Sequence, residues 1–410
     1  MKFLFALLLV LSGALPSAQP AAKPIVVLIS IDGWRWDYID RFKPPAISKL
    51  AAEGVRAEGL IPQFPSSTFP NHYTIVTGLR PAHHGIVSNN MEAPDIPGRF
   101  SLSNAAVQDD PRWWKGEPIW NTVERQGGIA AAMFWPGSQV LIGGRRGTYS
   151  TTYDGRIPNA ERVKRILDWL QLPDGRRPSF LTLYFNDIDN AGHNPGPESD
   201  QMGAVVMRID QTIAQLVEGL RQAKLSDRVN LVIVSDHGMA QIPPSQIIVL
   251  DTYLDPATVN VVDWAPMLSL SAKNGDNEAV YRALKDKHPA LHIYRNGEIP
   301  QEYGLRGNSR IQAVFGVVDE GWYVTSKAQT GRLGNADRGA PGGAHGYDPK
   351  YKSMQGLFIA VGPAFQAGRV VAPFENIHIY NLLCAVLGVN PATNDGDATV
   401  TRDWLRLAVR

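Results

Sequence analysis

Six acidic and imidazole side chains occupy comparable places in this chain of 410 residues, shortly after an apolar segment or in a loop beside one. They are Asp32, Asp189, His193, Asp236, His237 and His345. Oxygen and nitrogen ligands without a thiolate suit zinc or a similar divalent ion. A pair of such ions a few ångströms apart forms a common phosphoryl-transfer clamp, in which one ion activates the nucleophile and both hold the charge on phosphorus.

These residues differ in how strongly each one indicates a metal site. Asp236 and His237 follow an apolar segment directly, and a buried charge beside an imidazole has a cost unless a cation compensates it. A lone aspartate after a strand is more often a helix cap or a turn residue, and His345 could belong to a plain glycine-rich surface loop. From Asp189 to His193 the chain is rich in turn residues, so we expect a turn there and no amphipathic helix face. The joint pattern therefore carries the prediction.

Thr68 is the candidate nucleophile, although its surroundings allow another interpretation. It lies in the stretch 65–78, where hydroxyl residues precede Pro70 as at the start of a helix. A helix N-terminus favours a phosphate, and a metal ion can activate a threonine hydroxyl that is otherwise a poor nucleophile. On the local sequence alone, Ser66, Ser67 and Thr68 are better explained as caps of that helix.

Apolar and helical segments alternate along most of the chain. The predicted buried strands are 24–31, 128–135, 179–185, 229–235 and 356–361. The predicted helices are 45–54, 71–78, 160–170, 203–223 and 376–387. This alternation predicts an α/β sandwich with a mostly parallel sheet, in which ligands bind beyond the carboxyl ends of the strands. The segment 252–333 departs from it, and we interpret that segment as a small inserted α+β subdomain.

The first 22 residues are predicted to be a signal peptide, which leaves 23–410 as one catalytic domain. Their apolar run, 3–11, is shorter than the roughly 20 residues that span a bilayer, and no later stretch is long enough. We therefore expect no stable membrane insertion and a periplasmic or secreted location. The single cysteine, Cys384, can form no internal disulfide, which favours a bacterial periplasm. The formal net charge of +1 gives no basic field, so we expect no sequence-specific nucleic-acid partner.

Short motifs stand in one order between residues 29 and 348. They are ISIDGWRWDY, FPSSTFPNHYTIVTG, HHGIVSNNM, DIDNAGHNPGP, VSDHGM and GGAHGYD. Any one could arise by chance, but together they resemble the nucleotide pyrophosphatase/phosphodiesterase family of the alkaline phosphatase superfamily. The resemblance implies an alkaline-phosphatase-like three-layer sandwich and an enzyme of bacterial, periplasmic type with two Zn²⁺ ions per chain.

The resemblance also implies a role for each candidate residue. One zinc ion would be held by Asp32, Asp236 and His237, and the other by Asp189, His193 and His345. Thr68, between the metals, would attack phosphorus, and Asn89 would donate a hydrogen bond to a non-bridging phosphate oxygen. Phe69 and Tyr184 match positions that line the family's nucleotide pocket, where an aromatic ring can stack on a base.

The chain departs from the family pattern at two places. Ser67 stands where many animal members have lysine, and the segment 186–189, Asn-Asp-Ile-Asp, stands where many have Glu-x-Pro-Asp. Asp187 is therefore a rival ligand, but the four-residue step to His193 favours Asp189. Neither departure removes a predicted ligand.

The predicted function is hydrolysis of a nucleotide phosphodiester or pyrophosphate bond through a covalent threonine intermediate, with release of a nucleoside monophosphate. A phospholipase C-like diesterase for choline-type phosphodiesters and a phosphomonoesterase are the alternatives. A choline cage would need aromatic residues, for which the candidates are Trp34, Trp36, Tyr38, Trp113 and Trp114. A sulfatase is disfavoured because the arginine of the formylglycine motif is absent after Ser66. The complete ligand set and nucleophile argue against a non-catalytic binding protein.

Overall fold

The computed structural model describes residues 24–264, 266–330 and 342–406, so the predicted signal peptide lies outside the described residues. The strands, in chain order, are β1 (Ile25–Ile31), β2 (Val55–Ala57), β3 (Leu60–Ile61), β4 (Met91–Ala93), β5 (Ile96–Phe100), β6 (Ala130–Met133), β7 (Tyr149–Thr151), β8 (Phe180–Phe185), β9 (Val229–Val234), β10 (Ala240–Gln241), β11 (Ile247–Val249), β12 (Val259–Asp263), β13 (Met267–Ala272), β14 (Leu291–Arg295), β15 (Val314–Val318), β16 (Tyr323–Thr325), β17 (Gly343–Ala344), β18 (Phe358–Val361), β19 (Arg369–Val371) and β20 (Phe374–Glu375). The α-helices are α1 (Tyr38–Phe42), α2 (Pro45–Glu53), α3 (Thr68–Thr77), α4 (Pro81–His84), α5 (Ala105–Gln108), α6 (Ile119–Arg125), α7 (Asn159–Leu170), α8 (Asp187–His193), α9 (Met202–Gln222), α10 (Asn277–Leu284), α11 (Lys327–Thr330), α12 (Ile379–Leu387) and α13 (Thr399–Arg402). Within the described ranges, no helix has both the length and the hydropathy that a membrane span requires.

Eight strands form the central sheet in the order β19-β2-β18-β9-β1-β8-β6-β7. All of them run in one direction except β18, which lies antiparallel to β9 and β2. The predicted strands are the central neighbours from β18 to β6, because strands buried on both faces read as continuous apolar runs. The outer strands β2, β7 and β19 have three residues each and leave no such run. The predicted α/β fold with a mostly parallel sheet is confirmed.

Helices cover both faces of this sheet, which gives three layers. Side chains alternate along β1, so that Val26 and Leu28 join the core beneath α3, α6 and α12. Val27 and Ile29 join the opposite core, beneath α2, α7 and α9. Both faces of β1 are therefore buried, and the residues that follow β1 enter the middle of the protein.

A second, antiparallel sheet has the strand order β12-β13-β15-β14, and α10 packs against it. Its core contains Leu268, Leu270, Leu284 and Ile293. These elements have the α+β character expected of the segment 252–333. The boundaries of that segment, and its status as an inserted subdomain, stay a prediction.

The predicted helices form, with changes at their ends. α2, α7 and α9 begin and end within about one residue of the predicted positions. α3 begins at Thr68, three residues before its predicted start. The expectation of a turn from Asp189 to His193 is wrong, because α8 runs to His193 and only Asn194 is extended. Pro195 restricts the residue directly before it, so the helix can form up to that point.

A side chain of α9 caps the first turn of α2. Asp210 is buried and accepts hydrogen bonds from the backbone N–H groups of Ala46 (3.1 Å) and Ile47 (2.8 Å). A helix start leaves its first N–H groups without an intrahelical partner. Pro44 and Pro45 have no N–H, so Ala46 and Ile47 carry the groups that need an acceptor here. The contact therefore fixes α2 against α9 on one face of the sheet.

We expect Asp210→Ala to lower the free energy of unfolding by about 1–3 kcal/mol, because both N–H groups lose their acceptor. Urea denaturation measures this change. Gln211→Ala, at the exposed neighbouring position of α9, is the matched control and should change stability by less than about 0.5 kcal/mol. Equal stability of the two variants would contradict the capping role of Asp210.

Candidate metal centre and active site

Three neighbouring parallel strands bring carboxylates to one edge of the central sheet. β1 lies between β8 and β9, and its last residue, Ile31, pairs with Phe185 of β8. The chain leaves β1 into Asp32, β9 into the segment 235–237, and β8 towards α8, which carries Asp189. Since the carboxyl ends of the three strands lie side by side, these residues meet where an α/β sheet binds its ligands.

Gly33 allows two of these strand ends to approach each other. Its φ is +69°, and a Cβ atom at this position would lie 2.9 Å from the Cα atom of Asp189. Its N–H donates to Asp236 Oδ1 at 3.3 Å. A larger residue at position 33 would therefore force Asp189 away from Asp32.

The short antiparallel pair of β10 and β17 brings His345 to the same place from a distant part of the chain. Ala344 pairs with Ala240, which follows His237 closely in the sequence. The rings of His345 and His237 stack with centroids 3.6 Å apart. The glycine-rich loop is thus tied to the end of β9, which its own sequence does not reveal.

The six predicted ligands form two groups in space, Asp32 with Asp236 and His237, and Asp189 with His193 and His345. Within each group, one ligand atom per residue lies within 4.8 Å of the others. In the buried group, His237 Nε2 is 3.0 Å from Asp236 Oδ2 and 3.5 Å from Asp32 Oδ1. In the partly exposed group, Asp189 Oδ1 lies 3.5 Å and 3.6 Å from the Nε2 atoms of its two histidines. These are the same two sets that the family resemblance implied, and each could hold a divalent ion.

All three histidines of these groups are oriented by the backbone. Their Nδ1 atoms donate to carbonyl oxygens, His193 to Gly343 (3.0 Å), His237 to Gly238 (2.8 Å) and His345 to Ser66 (3.0 Å). A carbonyl only accepts, so each neutral ring carries its proton on Nδ1 and offers the lone pair of Nε2. Histidines that bind metals generally have such a partner on their other nitrogen.

The carboxylates leave oxygen atoms that the protein itself does not satisfy. Asp32 Oδ1, Asp189 Oδ1 and Asp236 Oδ2 are buried, and none has a hydrogen-bond partner among the described residues. They are the same oxygens that face the histidine Nε2 atoms. Because an unpaired buried charge is costly, a donor set of this kind fits divalent cations.

The ionisable groups of the site shift one another's pKa values. Burial, together with the charges of Asp236 and Asp189, raises the pKa of Asp32 well above its usual range. Burial alone would lower the pKa of His237, but the neighbouring carboxylates, Asp236 first, raise it to about 9. Both shifts come from excess negative charge in a poorly solvated place. A bound cation would relieve the same excess and displace the proton from His237.

Thr68 is the first residue of α3 and faces this centre. Its hydroxyl oxygen lies 3.2 Å from His237 Nε2. Ser67 occupies the N-cap position but makes no capping hydrogen bond, and Ser66 Oγ donates instead to the carbonyl of Tyr347 at 2.8 Å. The capping role that the local sequence favoured for these hydroxyl residues is therefore wrong.

His72 holds α3 against the end of the sheet. Ser30 Oγ of β1 donates to His72 Nε2 at 2.8 Å, and His72 Nδ1 donates to the carbonyl of Thr68 at 2.9 Å. The same nitrogen lies 3.2 Å from Asp236 Oδ2. This fully buried histidine links Thr68 to one of the carboxylates, and only its place in the fold distinguishes it from a core histidine.

Asn89 approaches the N-terminus of α3 from a separate loop. Its Oδ1 atom accepts a hydrogen bond from the backbone N–H of Phe69 at 2.9 Å. Since Oδ1 is engaged, Nδ2 is the group that Asn89 can offer to a ligand beside Thr68. The amide is therefore oriented as a donor.

A cavity of about 220 Å³ opens beside Thr68, Asp32 and Asp189. The aromatic residues that line it are Phe69, Trp114, Phe134, Trp135, Tyr153 and Tyr184. Tyr184, one of the two predicted pocket residues, is only 9% exposed, and its hydroxyl donates to Asp32 Oδ2 at 2.6 Å. Tyr153 is 49% exposed and supplies the open ring surface. A lone tyrosine carries no sequence signal for such a position.

Asp187, the rival ligand, lies in other surroundings. Its Oδ2 atom accepts a hydrogen bond from Asn159 Nδ2 of α7 at 3.0 Å. It lines a different, polar cavity, which includes none of the predicted ligands among the described residues. The structure therefore brings Asp189, and not Asp187, into the metal groups, as the four-residue step to His193 predicted.

The sequence profile of type I phosphodiesterase/nucleotide pyrophosphatase matches residues 26–348. The chain belongs to this family. The resemblance carried by the ordered motifs is thereby confirmed, and family membership applies to the part of the chain that holds both metal groups.

Relatives within the family match nearly all of the chain. A venom phosphodiesterase of Crotalus durissus collilineatus is 37% identical over 396 residues, which cover 94% of this chain and 47% of the relative. Ectonucleotide pyrophosphatase/phosphodiesterase family member 5 of Homo sapiens is 35% identical over 395 residues, which cover 96% of this chain and 80% of the relative. The chain therefore spans about half the length of the venom enzyme and most of the human protein.

Solved structures of family member 5 have the same fold. The murine protein, as an inactive threonine-to-alanine variant in complex with AMP, gives a TM-score of 0.88 at 34% identity and covers 94% of this chain. The human protein gives a TM-score of 0.88 at 34% identity and covers 93% of this chain. In both comparisons the whole of the solved chain is matched. The predicted alkaline-phosphatase-like sandwich is confirmed.

We expect Asp32→Asn to raise the melting temperature of the chelated protein, because it removes a buried carboxyl group whose ionisation Asp236 and Asp189 oppose. The same change should weaken metal binding at least about tenfold and so reduce the stabilisation that added zinc provides. Differential scanning calorimetry with and without zinc measures both effects. Asp227→Asn, at an exposed position, is the control and should change neither. An undiminished zinc effect in Asp32→Asn would exclude Asp32 as a ligand.

Proposed function

We propose that this family member is a two-zinc phosphodiesterase and nucleotide pyrophosphatase that releases a nucleoside monophosphate through a covalent intermediate on Thr68. The observation that carries the proposal is the position of the Thr68 hydroxyl, 3.2 Å from His237 Nε2 and on the wall of the aromatic cavity. Its substrate would be a small phosphodiester or a nucleotide. The predicted signal peptide supports a periplasmic or secreted enzyme.

Zinc would be held at two positions, one by Asp32, Asp236 and His237 and one by Asp189, His193 and His345. The unpaired carboxylate oxygens and the backbone-anchored imidazoles support this assignment. When bound, the ions favour ionisation of the attacking hydroxyl and neutralise the charge on the phosphate oxygens.

The proposed reaction has two displacement steps. Thr68 Oγ1 loses its proton to solvent and attacks phosphorus, so that the new Oγ1–P bond forms. The bond to the leaving oxygen breaks, and that oxygen keeps the electron pair and leaves as an anion or takes up a proton from solvent. Asn89 Nδ2 donates to a non-bridging oxygen as charge develops there, and the N-terminus of α3 adds a favourable dipole. Water then attacks phosphorus, the Oγ1–P bond breaks, and the Thr68 oxygen recovers a proton.

The base of a nucleotide would lie in the aromatic cavity against the rings of Phe69 and Tyr153. Both line the cavity and both are accessible, Phe69 in part and Tyr153 to 49%. Aromatic rings bind bases of any sequence by stacking. A murine relative solved in complex with AMP supports a nucleotide as the ligand. Tyr184 would act differently, by orienting Asp32 through its hydroxyl.

The alternatives have weaker support. Trp34, Tyr38 and Trp113 are fully buried, and of the five candidates for a choline cage only Trp114 lines the cavity. A cage for a quaternary ammonium requires several accessible ring faces. A phosphomonoesterase would need cationic groups for the extra phosphate oxygens, and no lysine or arginine lines the described cavity.

We expect Thr68→Ala to keep its zinc and its fold while turnover falls by at least about 10³-fold, because the covalent route is lost. The assay sets ATP and a p-nitrophenyl nucleotide diester beside p-nitrophenyl phosphate, a sulfate ester and a choline phosphodiester. Thr68→Ser is the control and should retain part of the activity, since a hydroxyl remains. Full diesterase activity of Thr68→Ala would refute the nucleophile, and faster cleavage of the choline diester by the wild type would refute the nucleotide substrate.

We expect Tyr153→Ala to raise KM for nucleotide substrates about tenfold, because one stacking surface is lost. Hydrolysis of methyl p-nitrophenyl phosphate, which carries no base, should change little. Steady-state kinetics on both substrates make the measurement, and Tyr153→Phe, which keeps the ring, should behave as wild type. Equal losses on the two substrates would show that Tyr153 does not contact the base.

A further inference from the structure

The antiparallel α+β sheet reaches the active site through one carboxylate. Asp263, the last residue of β12, accepts hydrogen bonds from the Ser88 hydroxyl and from Asn90 Nδ2, the latter at 3.1 Å. These partners stand on either side of Asn89 in the sequence. The N–H of Trp264 also donates to Asp263 Oδ1, at 3.0 Å. The Asp263 side chain thus holds the residues before and after Asn89, the proposed donor to the phosphate.

An irregularity in β12 accompanies this contact. Val261 pairs with Leu270 and Asp263 pairs with the next residue, Ser269, so that Val262 is an extra residue in the ladder. A bulge of this kind changes the direction of the side chains that follow it. Val262 is buried. Asp263, directly after the bulge, contacts the loop 88–90 through its carboxylate.

Asn89 is held from a second direction by the nucleophile's own helix. Its Oδ1 accepts from the N–H of Phe69, as described above, and within the loop the N–H of Asn90 donates to Ser88 Oγ at 3.3 Å. Asp263 therefore fixes the loop backbone, whereas Phe69 fixes the side-chain amide. Both are needed to fix the direction of Nδ2, because a side chain is only as well placed as its backbone.

The same edge of β12 is attached to the hairpin β4–β5, which follows this loop. Asn260 Nδ2 donates to Glu92 Oε2 at 3.2 Å, and Arg99 donates to the carbonyl of Val261. These contacts place the α+β sheet beside the loop, but none of them touches its residues 88–90. The contact made by Asp263 is therefore separable from the general attachment of the sheet.

We propose that Asp263 is a positioning residue that holds Asn89 in its donor geometry, and that this is the contribution of the α+β region to catalysis. The inference rests on the proposed function, in which Asn89 stabilises charge on the phosphate. Asp263 acts only through the loop and touches no reacting atom. Burial raises the pKa of Asp263 to about 7, and the hydrogen bonds from Ser88 and Asn90 offset part of the cost of placing a carboxylate there.

The test is a double-mutant cycle of Asp263→Ala and Asn89→Ala in the full zinc-loaded chain. Asn89→Ala should lower kcat about 10²-fold and Asp263→Ala about tenfold, each with little change in KM. If Asp263 acts through Asn89, the double variant should be no slower than Asn89→Ala alone. Losses that multiply in the double variant, or an unchanged kcat in Asp263→Ala, would overturn the proposal.

Two further variants separate positioning from general stability. Asp263→Asn can still accept from Asn90 and can donate to the Ser88 hydroxyl, so it should restore kcat to near the wild-type value. Asp276→Ala removes the cap of α10, where Asp276 accepts from the N–H of Ala279 at 2.9 Å, and should loosen the same region without lowering kcat. Equal losses in Asp276→Ala and Asp263→Ala would reduce Asp263 to a structural role.

Hydrogen exchange gives a result that does not depend on activity. The backbone amides of residues 87–91 should exchange faster in Asp263→Ala than in the wild type, and at the wild-type rate in Asp276→Ala. Should Asp263→Ala fail to fold, Ser88→Ala removes the same hydrogen bond from the other side and should give the same result. If the wild type cleaves no diester, the proposed function is refuted. Unchanged exchange of these amides in Asp263→Ala would separately refute the proposal that Asp263 fixes the loop 88–90.

Discussion

The mutual repulsion of Asp32, Asp189 and Asp236 is the constraint on which the rest of this structure depends. Three carboxylates lie at the ends of three adjacent parallel strands, and each has a buried oxygen without a hydrogen-bond partner in the described chain. A fold selected for stability alone would place apolar residues there. Within the protein, three groups oppose the repulsion. They are the imidazole of His237, whose pKa the carboxylates raise to about 9, the Tyr184 hydroxyl that donates to Asp32, and the Nδ1 atom of His72 beside Asp236. Such an arrangement fits divalent cations, which would compensate the negative charge.

Much of this centre could be predicted because parallel sheets convert sequence into position in a simple way. A continuous apolar run identifies a buried strand, and whatever follows it lies at the carboxyl edge. Asp32, Asp236 and His237 are therefore recognisable as residues of that edge without knowledge of the fold. This rule does not group the ligands, because grouping depends on strand order, and β1 lies between two strands that come much later in the chain. The family motifs supplied that information.

Other features depend on contacts that no local pattern encodes. The hydroxyl residues before α3 looked like caps, and only the tertiary partners of Ser66 and Thr68 show that they are not. No sequence pattern indicates the positions of Tyr153 and Asp263 either. One is an ordinary exposed tyrosine, and the other matters because a bulge in β12 accompanies its contact with a loop more than 170 residues earlier in the chain. The short edge strands were not predicted for a simpler reason: three residues are too few to show a recognisable periodicity.

Tyr184 has two roles in the site, and this limits how the cavity can change. The same side chain forms part of the wall of the cavity and donates a hydrogen bond to Asp32. A substitution of Tyr184 that reshapes the wall would therefore also remove a hydrogen bond from Asp32. Phe69 and Tyr153 also line the cavity, but among the described residues neither side chain has a hydrogen bond to Asp32, Asp189 or Asp236. The shape of the cavity can accordingly change at those two positions while the contact between Tyr184 and Asp32 is kept.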